Sequence, residues 1–431
     1  MMETKNDNNS FILHGSAVYS KGPSELAYHD NAYIVCVNGI SEGVHAAVPD
    51  AYKQLPIIET DGKLIMPGLV DLHTHASQYQ FRGNGMDAEL LSWLEAYTFP
   101  EEARYSDLSY ADKAYRLFAD EMKRGGTTRA AIFATADRRA TFRLMEIMED
   151  TGLISYVGKV NMDRNVPDYY VEDTAASLRE TEKWLDQAFS SGLRYTRPII
   201  TPRFTPSCTR KLMEGLSRLA KEYKIPVQSH LCESTAEIDL VQSLEPDTSS
   251  YSETYEKAGI MSPAITCIMA HCVWCGEDDI SILKKYGVFI AHSPESNINI
   301  CSGAAPMKKY LELGLKAGLA TDVSGGSSTS MFAAMRNAIY ASKLRYRLFD
   351  RDCPPLTLSE AVFLATLGGG EFFGKVGSFE KGFEFDALIL DDMAIPTVKD
   401  NLSVPERLER FIYLGTDQHI TSKYVAGRKI F

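Results

Sequence analysis

Leu64-Ile65-Met66-Pro67-Gly68-Leu69-Val70-Asp71-Leu72-His73-Thr74-His75 decides how the rest of the chain is read. Its apolar residues from Leu64 to Leu72 predict a buried strand. Successive strand side chains point to opposite faces, so His73 and His75 share one face and can bind one cation side by side. Downstream, other strand-like segments end in residues of matching chemistry. One closes on Gln228-Ser229-His230-Leu231-Cys232-Glu233, another on Met269-Ala270-His271 and a third on Ala320-Thr321-Asp322.

Those segments belong to a regular alternation. Strands are predicted at 64–72, 128–133, 154–160, 198–201, 226–229, 266–270, 288–291 and 315–320. Amphipathic helical stretches such as 110–124, 175–190, 209–223 and 278–286 lie between them. Eight strand–helix alternations predict an α/β fold, a (β/α)8 TIM-like barrel. Before it, 10–18 and 31–37 read as strands separated by Gly- and Pro-containing turns. After it, 385–390 and 412–431 return to β-like text. The expected organisation is a barrel over 65–376 and a small β-sandwich domain built from both chain ends, 1–64 and 377–431.

Composition narrows the function classes. The chain has 431 residues, 45% hydrophobic and 24% charged, as in an ordinary globular protein. A formal charge of −12, with no Lys/Arg stripe, argues against nucleic acid and anionic membrane as partners. No apolar stretch approaches about 18 residues, so no membrane span is expected. Residues 1–10 are polar and are not read as a secretory signal. Eight cysteines scattered through a long chain read as reduced thiols, and a cytoplasmic protein is expected.

In a barrel of this kind the reactive face is the one where the strands end. His73 and His75 end the first strand, His230 the fifth, His271 the sixth and Asp322 the eighth. Three histidines and an aspartate suit Zn²⁺ or a similar first-row cation, and an open position would hold a water whose pKa falls from 15.7 to about 7. Glu233, three residues past His230, is placed to shuttle protons, and His271 offers a second acid/base partner. His14, His29, His45 and His419 are read as structural, and His292 as facing the site without binding the metal.

The run Pro67–His75, followed by His230, His271 and Asp322, resembles the amidohydrolase superfamily. Within it, His230-Leu231-Cys232-Glu233 and Ala320-Thr321-Asp322 resemble the aminohydrolase branch, which deaminates purines, pyrimidines and triazines. The text is most similar to the guanine deaminase family, through His75-Ala76-Ser77-Gln78-Tyr79, Trp93, Tyr97-Thr98-Phe99-Pro100, Val157-Gly158-Lys159-Val160, Thr201-Pro202-Arg203-Phe204 and Ala365-Thr366-Leu367-Gly368-Gly369. The HxH element marks only the superfamily. Ser77-Gln78 together with Pro202-Arg203-Phe204 narrows it.

That resemblance implies a zinc-dependent hydrolase with one Zn²⁺ per subunit, held by His73, His75, His230 and Asp322. A metal-activated hydroxide would attack C2 of guanine, releasing ammonia and leaving xanthine, in purine catabolism or salvage. Glu233 would protonate N3 and carry a proton to the departing amine. Asp322 would take the proton of the attacking water, and His271 would support the developing alkoxide. Arg203 would bind the purine carbonyl, Gln78 a ring-nitrogen edge, and Phe204 would pack near the ring. On residue type alone, a surface salt bridge for Arg203 and a loop cap for Gln78 stand level with those roles. Relatives of this kind are commonly dimers, so a homodimer is expected, although no residue pattern specifies it.

Several features bound this reading. Binuclear relatives bridge two metals with a carboxylated lysine at the end of strand four, where this chain has Thr201-Pro202-Arg203; one metal is expected. Cys272, directly after His271, departs from the family text, which has glycine there. Cys272-Val273-Trp274-Cys275 has C-x-x-C spacing but no second pair, so no structural zinc is read there. Gly368-Gly369-Gly370 lacks a Walker lysine, and Gly325-Gly326 would let backbone pass close to the site. Two alternatives remain: a deaminase of another amino-heterocycle (an aminopyrimidine, 8-oxoguanine or a triazine), and a non-catalytic interaction protein on the same scaffold.

Overall fold

In the computed structural model, which describes residues 9–431, the opening run is two strands rather than one. Ile57–Pro67 and Leu69–His75 meet at Gly68. A Cβ on Gly68 would lie 2.3 Å from the Thr128 hydroxyl oxygen, so only glycine lets the chain cross here from one sheet into another. The strand expected at 64–72 therefore straddles a junction, because an apolar run carries no sign of which sheet each half joins. Leu64–Pro67 pairs antiparallel with Ala387–Leu390, which takes 65–67 into the sheet of the chain ends. Of residues 1–10, only the last two fall among those described.

Both chain ends share one seven-stranded sheet. Its order is Arg428–Lys429, Ile420–Val425, Ala387–Leu390, Ile57–Pro67, Phe11–Gly22, Glu25–Val37, Ile40–His45. Phe11, Leu13, Ile34, Ile65, Phe379 and Phe385 form its own apolar core. The β-like reading of 412–431 fails at its start, since Val404–Leu414 is a helix. Ser403 and Glu406 form a reciprocal cap at its N-terminus, and Val404, Leu408, Phe411 and Ile412 are its buried stripe. Read from residue 412 onward, that 3.6-residue period is invisible.

The barrel consists of two parallel four-stranded sheets. The first holds Leu69–His75, Thr127–Phe133, Ile154–Gly158 and Thr196–Pro198; the second holds Val227–Leu231, Cys267–His271, Phe289–His292 and Lys316–Leu319. At one seam Gln228 N donates to Ile200 O at 2.9 Å. At the other, Asp322 N donates to His73 O at 2.9 Å and His75 N to Val323 O at 3.0 Å. The fold is thus the expected eight-stranded α/β barrel with a separate sheet of terminal strands. Helices Leu108–Arg124, Arg138–Thr151, Thr174–Ser190 and Arg210–Tyr223 each begin where Asp107, Asp137, Asp173 or Thr209 accepts from free N–H groups of the first turn.

One ion cluster ties barrel to terminal sheet. Arg129, buried on the second barrel strand, donates to Asp386 through Nε at 2.7 Å and through a terminal nitrogen at 3.0 Å, and to Glu384 at 2.8 Å. Asp386 also accepts from Ala426 N at 2.8 Å. Removing one member of such a cluster leaves a buried charge without its partner. Asp386→Ala is expected to lower stability in urea denaturation by roughly 3–5 kcal/mol. A loss below about 1 kcal/mol, the range of an exposed pair, would contradict a buried latch.

Candidate metal centre and pocket

Four ligand-type atoms meet where the barrel strands end. His73 Nε2 lies 3.0 Å from Asp322 Oδ1 and 3.1 Å from His75 Nε2. His75 Nε2 is 3.4 Å from Asp322 Oδ1 and 3.3 Å from His230 Nε2. All four residues are buried. Zn–N and Zn–O bonds of about 2.0–2.1 Å in a tetrahedron place neighbouring ligand atoms roughly 3.3 Å apart. The spacing therefore fits one small divalent cation.

Hydrogen bonding also prepares the donors. His230 Nδ1 lies 2.7 Å from the Arg203 carbonyl, which can only accept, so Nδ1 carries the proton and Nε2 presents its lone pair inward. Burial pushes the His75 imidazole down to about 4 and His73 and His230 below their ordinary range. Neutral rings are what a metal needs. Asp322 is held well below the usual carboxylate range by the imidazoles around it, against the opposing effect of burial.

Asp71, unassigned in the sequence reading, braces this arrangement. Its carboxylate accepts from His73 N at 3.2 Å, Thr321 N at 3.0 Å and the Thr321 hydroxyl at 2.5 Å, so it joins the histidine strand to the aspartate turn. The backbone at this rim is strained. His271, Asp322 and Cys232 have φ of 73°, 47° and 50°, left-handed values costing about 1–2 kcal/mol each for non-glycine residues. Gly325 relieves the crowding, since a Cβ there would lie 2.3 Å from Ser296 Oγ.

Beside the cluster stand the acid/base groups. Glu233 Oε2 is 3.3 Å from His271 Nε2, and Ser302 Oγ donates to its Oε1 at 3.4 Å. Burial first, then the Asp322 charge, pushes the Glu233 carboxyl well above its ordinary range, which favours its protonated form. His271 Nδ1 donates to Asn297 Oδ1 at 2.8 Å, leaving Nε2 to accept from Glu233. His271 Nε2 is also 3.7 Å from Asp322 Oδ2.

The pocket above is lined by Gln78, Arg203 and Phe204 together with Leu90, Trp93, Leu94 and Ile300. Arg203 makes no surface salt bridge; it is buried and pairs with Glu102 at 2.8 Å. Gln78 is no loop cap either, for its amide joins Glu102 and Ser324 N. Glu102, Asn297, Ser302, Leu90, Leu94 and Ile300 carried no usable sign in sequence, whereas Trp93 belongs to the text that carries the resemblance. His292 ends the seventh strand but does not line the pocket. His14, His29, His45 and His419 sit in or beside the terminal sheet, His14 stacked on Tyr33 at 4.1 Å. Lys159 pairs with Glu172 at 2.7 Å. All eight cysteines are free thiols among the described residues.

A family model described as the amidohydrolase family matches residues 64–430. The chain belongs to that family. It is 38% identical to a guanine deaminase of Dictyostelium discoideum, over 88% of this chain and 85% of the relative. Identity to the Homo sapiens guanine deaminase is 35%, over 94% and 91%. A crystal structure of guanine deaminase from C. acetobutylicum, with guanine bound in its active site, superposes with a TM-score of 0.94 at 42% identity, covering 98% of this chain and 100% of that one. Within the amidohydrolases, the chain therefore falls among the guanine deaminases.

Burial pushes the partnerless His292 imidazole down to about 3. An unfolded histidine binds its proton below about 6.5, so folding is penalised progressively as pH falls from there toward 3. Asparagine at this position does not titrate. The stability of the parent relative to His292→Asn should therefore fall by about 2–3 kcal/mol between pH 6.5 and 4.5. A pH-independent difference would contradict a buried neutral ring.

Proposed function

We propose that this chain deaminates guanine hydrolytically to xanthine and ammonia, with one Zn²⁺ held by His73, His75, His230 and Asp322. The observation that carries this reading is geometric: the buried Glu233 carboxyl lines one pocket with His75, His230 and Asp322 of the four-donor cluster and with Gln78 and Arg203. When bound, the cation supplies the Lewis acidity that makes water a nucleophile near neutral pH.

The chain's own residues do the rest. Glu233 delivers its proton to N3 as C2 is attacked. The resulting carboxylate relays the proton that Asp322 has drawn from the water to the amine that leaves, and the hydroxyl left on C2 restores the Glu233 proton as the carbonyl forms. Asp322 turns Oδ1 toward the imidazoles and keeps Oδ2 for the proton of the attacking water. His271, with Nδ1 held on Asn297, faces Glu233 and Asp322 through Nε2 and supports the alkoxide oxygen that forms at C2. Arg203 offers its planar donors to the purine carbonyl, Gln78 reads the ring edge, and Phe204 and Trp93 flank the ring. Those apolar faces exclude water and hold the substrate against the acid.

The same reading takes the active unit to be a homodimer in the cytoplasm, serving purine turnover. Exposed Tyr340, Leu344, Leu348 and Phe349 on and just after the helix Met331–Leu348 support a subunit contact, and the free thiols support a reducing compartment.

Incubation of the zinc-loaded protein with guanine should give xanthine and ammonia in equal amounts. Glu233→Gln should lower kcat by about 10²–10⁴-fold while the protein keeps its metal. Intact guanine with the metal site full, or an undiminished variant, would overturn the assignment.

A further inference from the structure

Glu102 is fully buried in the short helix Phe99–Ala103, outside the metal cluster and the pocket wall, yet it binds both polar residues of that wall. Its Oε1 accepts from Gln78 Nε2 at 3.0 Å. Its Oε2 accepts from Arg203 at 2.8 Å and from the Tyr170 hydroxyl at 3.0 Å. The Thr135 hydroxyl donates to its main-chain oxygen at 3.1 Å, which pins the backbone as well. Every contact to the carboxyl is a donor, so both oxygens act as acceptors.

The consequence for Gln78 is geometric. At the other end of its amide, Ser324 N donates to Oε1 at 3.1 Å. Turning the amide over would set its oxygen against the Glu102 carboxylate and its NH2 against the Ser324 N–H. Both meetings are repulsive and buried. One lone pair and one N–H, in fixed order, therefore remain for a ligand. For Arg203 the same carboxylate balances the guanidinium inside the protein and fixes its plane, with Phe99 5.3 Å from the guanidinium carbon. What is left is an oriented set of donors for a neutral carbonyl rather than a free cation for any anion.

We propose that Glu102 is a positioning residue that sets which heterocycle the pocket accepts. By locking Gln78 and Arg203 it selects a ring bearing a carbonyl over an isostere with hydrogen or an amine in that place. This rests on the reading that the pocket takes guanine. Guanine and 2-aminopurine share the amino group that leaves and differ at the lactam, the C6 carbonyl with its N1–H, so their kcat/KM ratio measures the selection for that edge.

Both substrates are to be assayed with the zinc-loaded parent protein, Glu102→Gln and Tyr170→Phe, with metal content determined for each. Glu102→Gln should raise KM for guanine by about 10–100-fold, change kcat much less, and narrow the guanine to 2-aminopurine ratio at least about 10-fold. Tyr170→Phe, which removes one donor and leaves the carboxylate, should shift the ratio the same way by a smaller factor, and it decides the matter if Glu102→Gln does not fold. An unchanged ratio, with both substrates slowed alike, would show a merely structural residue and overturn the proposal. A parent protein that leaves guanine intact while full of metal would instead overturn the functional reading, and this proposal with it.

Discussion

His75 Nε2 lies within 3.1–3.4 Å of His73 Nε2, His230 Nε2 and Asp322 Oδ1, with His73 Nε2 3.0 Å from the same carboxylate oxygen, and the rest of the molecule is arranged around that confrontation. For His230 no internal hydrogen bond resolves it, because the proton of that ring is committed to the Arg203 carbonyl on the far side. A cation at the centre turns crowded lone pairs into ligands. The barrel is what makes the crowding stable. Its first, fifth and eighth strands deliver the donors, the backbone bonds between His73 and Asp322 hold two of them in register, and Asp71 braces the same seam from within.

Metal holding and ligand recognition are coupled through single residues. Arg203 orients His230 with its carbonyl at 2.7 Å and meets Glu102 with its guanidinium at 2.8 Å. Gln78 is tied through its amide oxygen to Ser324, two residues after Asp322. A shift in the pocket wall is thereby felt at the ligands. Such coupling suits a catalyst in which the attacking water and the substrate must meet in one geometry, since displacements of about 1 Å can cost a hundredfold in rate.

Much of this was legible in the sequence for a physical reason. Side chains that end parallel strands share one face, so His73, His75, His230, His271 and Asp322 could be gathered from spacing alone, and the structure does gather them. The strand junction at Gly68 was not legible, because buried apolar text reads the same in either sheet. Glu102 sits in Phe99-Pro100-Glu101-Glu102, where nothing distinguishes the carboxylate that reaches the pocket residues from the other buried one beside it; only its partners, far apart in sequence, reveal it. Leu90, Leu94 and Ile300 are equally mute, since a pocket wall and a core have the same composition. Arg203 and Gln78 were ambiguous until their burial was known.

The central claim is the identity of the donor set, and His73, His271 and Asp322 form a second group close enough to compete for an ion. Anomalous scattering from crystals of the metal-loaded protein, collected at the zinc edge, separates the two. A single peak bonded to His73 Nε2, His75 Nε2, His230 Nε2 and Asp322 Oδ1, with His271 outside bonding distance, is the predicted result. A peak bonded to His271 in place of His75 and His230, or two peaks in the cluster, would contradict the account.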